Sequence, residues 1–237
     1  MIDTLLGLVS GEPRTVLDLG CGPGKLARAL APQVDRVDAV DFSEAMLEEG
    51  RRGPGGDHPG IRWILSPVEA APLDPPYALA VAGASFHWFD QERVLAGLRG
   101  ALSSRAVFAV LDGDGPWRPP WEAEEIAIMV DFGERITGVR PVWRGTDVAT
   151  KPLVTSPRFE RLGVRVTGPV SFEQSLDEYV ACLHSRQTFC LEAMGETLAA
   201  EFGAAIRAML EPWSADGRIR YEVRTRIEWG RPTESDA

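Results

Sequence analysis

The segment VLDLGCGPGK at positions 16–25 constrains the fold of this chain more than any other stretch. An apolar, β-branched run leads into it and a helix-forming run follows it. Gly20, Gly22 and Gly24 therefore occupy the turn between a first strand and a first helix. In α/β proteins this turn binds nucleotides, because glycine lets a ligand approach the backbone closely.

Residues 14–112 alternate short apolar runs with helix-length amphipathic segments. This alternation is typical of a mostly parallel sheet with helices on both faces, the doubly wound Rossmann-like α/β class. The predicted strands span 15–19, 37–40, 61–65, 78–84 and 106–111, and the predicted helices span 24–31, the stretch from Ser43 to before residue 53, and 91–102.

The alternation of strand and helix segments stops between residues 113 and 157, where prolines and tryptophans are frequent. We interpret this stretch as an insertion with one helix at 121–136 that covers the acceptor side together with 171–192. The whole chain, 1–237, is expected to form one domain around a binding core at 14–112. Residues 159–170, helices at 176–192 and 196–210, and a final antiparallel strand at 219–229 are expected to complete it.

Charge and cysteine usage exclude several classes of protein. The net charge of -10 disfavours a nucleic-acid substrate, and the alternating arginines at 218–226 are interpreted as the exposed face of a strand. The three cysteines lack metal-site or disulfide spacing, which fits a reducing cytoplasm and predicts no metal. The N-terminal apolar run is too short for a signal peptide, and no run of 18 apolar residues predicts a membrane segment.

Two carboxylates narrow the choice of nucleotide ligand. A dinucleotide-binding fingerprint would require a glycine at position 25, where this chain has Lys25. The phosphate-binding GxxxxGK[ST] pattern does not occur in the sequence. Asp18 lies beside the glycine turn, where it would attract an ammonium or sulfonium group. Asp41 ends the second predicted strand, where it can accept hydrogen bonds from ribose hydroxyls, and Phe42 can lie against an adenine.

Three segments carry a resemblance to a known family: DLGCGPG at 18–24, VDAVDFSEAML at 37–47 and ASFHWFD at 84–90. They resemble class I S-adenosylmethionine-dependent methyltransferases, in particular the methyltransferase type 11 group that includes relatives of trans-aconitate methyltransferase. The resemblance covers roughly residues 14–112. It implies S-adenosylmethionine as cofactor, S-adenosylhomocysteine as product and a small-molecule methyl acceptor.

The resemblance also implies roles for individual residues. Family members often carry an acid after the third strand, and Pro67 stands at that position here, so Val68 and Glu69 become the candidates for adenine recognition; a surface or capping role is the alternative for Glu69. The implied cofactor-binding residues are Asp18, Gly20, Cys21, Gly22 and Gly24 at the methionine part, Asp41 at the ribose, Phe42, Met46, Val68 and Glu69 at the adenine, and Ser85 near the sulfonium.

Methyl transfer requires a positioned acceptor and, for a phenol, alcohol or amine, removal of a proton. His87 follows the fourth strand and is the candidate base; the alternative is a histidine that hydrogen-bonds to a loop carbonyl, beside Trp88 and Phe89 as core residues. Other candidates for the acceptor pocket could instead seal the core or lie on the surface. The pocket candidates are Trp88, Trp117, Trp143, Tyr179, His184 and Arg186.

These observations predict a cytoplasmic enzyme that methylates an oxygen, nitrogen or carboxylate of a small molecule. It would act as a monomer or homodimer, without nucleic acid or membrane as partner. Two alternatives stay open. One is a non-catalytic S-adenosylmethionine-binding or regulatory protein of the same fold; the other is an NAD(P)-dependent oxidoreductase, which Asp18 and Lys25 disfavour.

Overall fold

The computed structural model describes residues 1–113, 115–142, 152–185 and 187–234, and the chain divides into two compact units. The first unit comprises Met1–Asp114, Ala149–Thr167 and Thr225–Ala237, and the second comprises Gly115–Val148 and Gly168–Arg224. The chain forms strands β1 Thr15–Leu19, β2 Arg36–Asp41, β3 Ile61–Leu65, β4 Leu79–Gly83, β5 Phe108–Asp112, β6 Phe159–Val166, β7 Val170–Ser175, β8 Arg218–Val223 and β9 Arg226–Pro232. Its α-helices are α1 Ile2–Leu8, α2 Lys25–Leu30, α3 Glu44–Arg52, α4 Gln91–Ala101, α5 Glu122–Thr137, α6 Leu176–His184 and α7 Leu191–Leu210.

The first unit is built on a seven-stranded sheet in the order β3-β2-β1-β4-β5-β9-β6. The strands β1 to β5 pair in parallel, and β9 runs antiparallel to both β5 and β6. The strand order reverses between β1 and β4, and ligands of open α/β sheets bind at such a switch point. The predicted fold class, a mostly parallel doubly wound sheet with an antiparallel C-terminal strand, is confirmed.

Helices cover both faces of this sheet because its central strands are apolar on both sides. All five residues of β1 are buried. Val16 packs into one core cluster with Leu30 of α2, and Leu17 packs into the other with Leu98 of α4. Alternate residues of a strand point to opposite faces, so one short strand anchors helices on both sides.

Side-chain caps mark the starts of α3 and α4 in the first unit. Ser43 accepts a hydrogen bond from the backbone N–H of Met46 (3.4 Å) at the start of α3, and Asp90 accepts one from Arg93 (3.1 Å) at the start of α4. The α3 helix ends at Arg52, before residues 53–56, as predicted.

A buried polar cluster lies on β2. The Asp38 carboxylate is fully buried and accepts two hydrogen bonds from the Arg62 guanidinium, at 2.9 and 2.7 Å. The Tyr77 hydroxyl donates to the same carboxylate at 2.6 Å, and burial together with this bond raises the pKa of Tyr77 to about 12. The pairing satisfies a charge that would otherwise be costly to bury.

The second unit has its own core. The strands β7 and β8 form a two-stranded antiparallel sheet, and α5, α6 and α7 contribute to a cluster that includes Trp121, Tyr179, Phe202 and Ile206. The predicted insertion helix at 121–136 is confirmed as α5 within one residue. None of the helices in the described ranges is long and apolar enough to cross a membrane.

The expected single strand at 219–229 is wrong. The chain forms β8 and β9 instead, and these belong to different sheets in different units. Residues 159–170 divide in the same way, into β6 and the start of β7. The residue after β6 and the residue before β9 are hydrogen-bonded to each other: the N–H of Thr225 donates to the Thr167 hydroxyl at 2.9 Å. Arg226 is also not on an exposed face, since it is buried and donates to Glu228 at 3.0 Å.

The expected helix at 176–192 is too long. The α6 helix ends at His184, whose Nδ1 lies 2.8 Å from the carbonyl oxygen of Phe189, and a 3-10 turn follows at Gln187–Phe189. The α7 helix begins at Leu191 and is kinked at Gly195, which has a φ of 69°. The predicted helix at 196–210 matches the part of α7 after this kink.

Candidate cofactor-binding site

The glycine turn between β1 and α2 adopts a backbone conformation that requires glycine. Gly20, Gly22 and Gly24 have φ values of 63°, 53° and 68°, in the left-handed region. The N–H of Gly24 donates to the carbonyl oxygen of Cys21 at 2.9 Å and closes the turn, and Gly24 is the N-cap of α2. The N–H groups of Cys21, Gly22 and Gly24 all have partners within the protein, and the turn brings the start of α2 to the carboxyl edge of the sheet.

The three glycines differ in what surrounds them. A Cβ at Gly20 would lie 2.7 Å from the Cβ of Ser85 and 2.8 Å from the Phe89 ring, and one at Gly24 would overlap the ring of Trp63. A Cβ at Gly22 would have no heavy atom of the described residues within 4 Å. Gly22 is thus the position where the backbone faces open space and a ligand can approach it.

Asp41, the last residue of β2, is hydrogen-bonded to Gly22. Its Oδ2 accepts a hydrogen bond from the N–H of Gly22 at 2.8 Å, and its Oδ1 accepts one from Ser43 at 2.9 Å. Each carboxylate oxygen has a second acceptor direction. The carboxylate can therefore hold the turn and still accept hydrogen bonds from two ligand hydroxyls.

Asp18 places a second carboxyl group under the turn. It is 1% exposed, and its Oδ2 accepts a hydrogen bond from the N–H of Ala27 at 3.1 Å. Burial raises the pKa of Asp18 to about 7; the bond from Ala27 opposes this rise, and the nearby Asp41 adds to it. A cationic ligand beside this carboxyl group would favour its ionised form.

Cys21 lies in the turn, near the carboxylates of Asp18 and Asp41. Its Sγ donates to the carbonyl oxygen of Gly22 at 3.4 Å. Burial, followed by the charges of Asp18 and Asp41, raises the pKa of the thiol above its ordinary value. Cys21 is therefore a neutral thiol in this site rather than a reactive thiolate.

A hydrogen bond connects the loop after β4 to the strand end that leads into the glycine turn. The hydroxyl of Ser85 donates to the carbonyl oxygen of Leu19 at 2.8 Å, and the preceding Ala84 has a φ of 53°, which is strained for a residue with a side chain. His87 is exposed, and its ring centroid lies 4.8 Å from that of Trp88. Trp88 is 63% exposed, so the alternative of a core residue is wrong for Trp88.

The residues predicted at the adenine lie on the same edge of the sheet. Phe42 directly follows β2 and is 78% exposed, and Met46 is on the first turns of α3. Val68 and Glu69 form a 3-10 turn after Pro67. Glu69 accepts a hydrogen bond from the N–H of Asp90 at 3.0 Å, so it has a structural partner at the start of α4. The role of these four residues toward adenine stays a prediction.

Three of the acceptor-pocket candidates lie in the second unit and have contacts within it. The N–H of Trp117 donates to Glu222, Tyr179 is buried and donates to Glu125 at 2.8 Å, and His184 contacts Phe189. Trp143 and Arg186 lie outside the described residues. The acceptor role of the whole set, Trp88 included, stays a prediction, as does the assignment of 113–157 and 171–192 to an acceptor-side lid.

Sequence reasoning missed Trp63, which lies on β3 and contacts the glycine turn. Its ring faces both Gly24 and Gly50, and its indole N–H donates to the carbonyl oxygen of Gly56 at 3.1 Å. The one available signal was Gly50, a glycine within a predicted helix, because such a position usually indicates close packing.

Among known proteins, the model of a methyltransferase-domain family matches residues 16–104 of this chain. The chain is 38% identical over 87 residues to a malonyl-[acyl-carrier protein] O-methyltransferase of Halalkalibacterium halodurans, a match that covers 34% of this chain and 31% of that protein. It is 35% identical over 112 residues to a trans-aconitate 2-methyltransferase of Variovorax paradoxus, with 46% and 42% covered. These matches span less than half of either relative.

A solved structure extends the similarity to nearly the full chain. It is assigned as a type II methyltransferase from Anaeromyxobacter dehalogenans, has a TM-score of 0.65 and 25% sequence identity, and the match covers 97% of this chain and 94% of that chain. A methyltransferase structure from Bacillus halodurans, 14% identical with a TM-score of 0.56, shares the fold.

Proposed function

We propose that this chain is a class I S-adenosylmethionine-dependent methyltransferase and that it transfers a methyl group from S-adenosylmethionine to an oxygen, nitrogen or carboxylate of a small molecule. The observation that carries the proposal is the bond between Asp41 and Gly22, which combines a carboxylate with open backbone at one position. The family favours this reaction over the non-catalytic and nicotinamide-dependent alternatives.

The residues of the turn fit the chemical groups of this cofactor. Asp41 would bind the two ribose hydroxyls, and Gly22 would let the ligand lie against the backbone. Asp18 would become ionised beside the cationic methionine part, since a nearby positive charge lowers the pKa of a carboxyl group. When bound, S-adenosylmethionine supplies an electrophilic methyl group on a positively charged sulfur.

The chain's own contribution is to position the acceptor and to handle its proton. His87 is exposed on the loop after β4, and its neighbour Ser85 is fastened to Leu19. His87 would accept the proton of a phenol, alcohol or amine, whereas a carboxylate acceptor needs no base. Malonyl and trans-aconitate groups are both carboxylic acids, which supports a carboxylate among the acceptors.

The setting of the proposed enzyme follows from charge and composition. A net charge of -10 opposes binding to nucleic acid, and free cysteines fit the reducing cytoplasm. We propose a cytoplasmic monomer or homodimer that acts on a small molecule.

Isothermal calorimetry with S-adenosylmethionine and S-adenosylhomocysteine tests the cofactor assignment. We expect the parent chain to bind both, and Asp41→Ala to weaken binding at least about tenfold, the loss expected for hydrogen bonds to a charged group. Asp57→Ala is the matched control, because Asp57 is exposed in the turn after α3. Absence of heat with both ligands, or equal loss in both variants, would refute the assignment.

The reaction itself is tested by formation of S-adenosylhomocysteine with panels of carboxylic acids, phenols and amines. Turnover with at least one panel supports methyl transfer. Tight cofactor binding without turnover on any panel would instead support the non-catalytic alternative.

A further inference from the structure

Trp63 contacts three separate segments of the first unit. It lies on β3, and its indole N–H donates to the carbonyl oxygen of Gly56, in the turn that follows α3, at 3.1 Å. The far edge of its ring faces Gly24 at the start of α2 and Gly50 within α3. One side chain therefore contacts α2, α3 and the turn that follows α3.

The ring leaves no room for a side chain at either glycine. A Cβ at Gly24 would lie 2.7 Å from Cζ3 of Trp63 and closer still to Cη2, and a Cβ at Gly50 would lie 2.6 Å from the same Cη2. Carbon atoms that are not bonded do not approach this closely without displacing one another. The ring is also packed against the core, so it cannot move aside freely.

Gly50 shows that neighbouring atoms, and not its own backbone conformation, set this requirement: the ring of Trp63 is the nearest neighbour, and the carbonyl oxygen of Pro23 lies 3.1 Å from the Cβ position. Gly50 has helical geometry within α3, where alanine is the better helix former. Gly22 provides the opposite case, with a left-handed φ of 53° but open space around its Cβ position. Gly24 combines both constraints, a φ of 68° and the ring of Trp63.

We propose that Trp63 is a positioning residue for the cofactor loop. By filling the space between Gly24 and Gly50, its ring fixes where the glycine turn begins α2, while the bond from Gly22 to Asp41 fixes the other side of the turn. Arg28 reinforces the arrangement, because its guanidinium donates to the carbonyl oxygen of Pro54 at 3.0 Å. The third glycine of the motif thus serves close packing, a role known for such turns, and Trp63 is its packing partner.

This inference rests on the proposed function and adds a residue that acts on the cofactor through the backbone. Trp63 has no part in handling the acceptor, since that chemistry is assigned to the loop after β4. Its loss should therefore raise KM for S-adenosylmethionine and leave kcat nearly unchanged.

A set of double-mutant cycles tests the proposal. Affinity for S-adenosylmethionine and S-adenosylhomocysteine is measured by calorimetry, and the urea midpoint of unfolding by fluorescence, for Gly24→Ala, Gly50→Ala and Trp63→Leu alone and in pairs. Gly22→Ala, alone and with Trp63→Leu, is the matched control in the urea cycle, because it carries the φ strain without the overlap; its affinity is not part of the cycle, since a Cβ there would enter the space assigned to the ligand. Where Trp63→Leu does not fold, Trp63→Phe takes its place, since its shorter ring also vacates the position of Cη2.

We expect Gly24→Ala and Gly50→Ala each to weaken cofactor binding, and Trp63→Leu to restore about tenfold in each pair, the coupling typical of residues in contact. The effect of Gly22→Ala on the urea midpoint should be the same whether or not Trp63 is replaced. Gly50 is the sharper arm, because it lies in helical backbone and carries no φ strain; the part of its effect that passes through the carbonyl oxygen of Pro23, 3.1 Å from its Cβ position, remains when Trp63 is replaced, whereas the part that passes through the ring does not.

Independent effects on affinity in the Gly24 and Gly50 pairs would overturn the proposal. Coupling in the urea midpoint without coupling in affinity would also overturn it, since Trp63 would then be purely structural. Failure of the parent chain to bind either ligand refutes the proposed function and the positioning role together, whereas the urea cycle separately decides whether Trp63 and the glycines are packed as described.

Discussion

Replacement of Asp18 by asparagine should change how the stability of this protein depends on pH. The folded chain holds the pKa of Asp18 at about 7, against 3.8 for an unperturbed aspartate, because burial disfavours the charged form. The folded state therefore keeps this proton over a pH range in which the unfolded chain has lost it. The group's contribution to the free energy of unfolding is fully present below pH 3.8 and is lost as pH rises through 7.

The magnitude follows from the difference between the two pKa values. One pKa unit corresponds to about 1.4 kcal/mol, so the full loss between low and high pH is about 4 kcal/mol. Between about pH 5.5 and 8.5 the expected loss is about 2 kcal/mol, because the change stops once the folded state has also released the proton. Asparagine at position 18 keeps an acceptor for the N–H of Ala27 but has no proton to lose in this range.

Urea unfolding of parent and Asp18→Asn at these two pH values measures the effect. The parent should lose about 2 kcal/mol relative to the variant on going to the higher pH. Asp57→Asn, an exposed carboxylate in the same unit, should change in parallel with the parent. A difference between parent and Asp18→Asn that does not vary with pH would show that Asp18 has an ordinary pKa and would refute the reasoning.

Three further outcomes are expected. Gly20→Ala should lower the free energy of unfolding by about 2 to 4 kcal/mol in urea, because it combines a left-handed φ of 63° with overlap against Phe89; an unchanged midpoint would contradict this. His87→Ala should slow transfer to hydroxyl acceptors and leave cofactor affinity in calorimetry nearly intact, and equal rates would end its role as a base. Tyr77→Phe should cost about 2 kcal/mol in urea, because the buried Asp38 loses a donor; a cost near zero would mean that this bond adds nothing to the pairing with arginine.

The cofactor turn could be predicted from sequence because its constraints are local. A left-handed backbone conformation calls for glycine wherever it occurs, and a carboxylate at the end of the second strand is visible in the chain as Asp41. The cap at Ser43 and the end of α3 are local signals of the same kind. The alternation of strand and helix also predicts the mostly parallel sheet, although it does not determine the order of the strands.

Features set by distant contacts could not be predicted in this way. The alternation of apolar residues continues from β8 into β9, and only pairing with remote strands shows that the chain changes sheets near Thr225. The spacing around α6 likewise continues beyond His184, where the contact with Phe189 ends the helix. The packing of Trp63 against Gly24 joins residues from β3 and the start of α2, which no periodicity within either element reveals.

The position of β9 has a consequence for how the protein is made. Arg226 pairs opposite Asp112 of β5 on one side and Val166 of β6 on the other, so β9 is the strand that joins them. During synthesis β5 and β6 leave the ribosome long before β9, and each exposes a free hydrogen-bonding edge that can pair with other chains. The whole second unit is synthesised before β9 can pair with either strand. A ribosome that stalls before residue 226 would therefore hold a five-stranded sheet with an open edge at β5, while β6 has no strand to pair with.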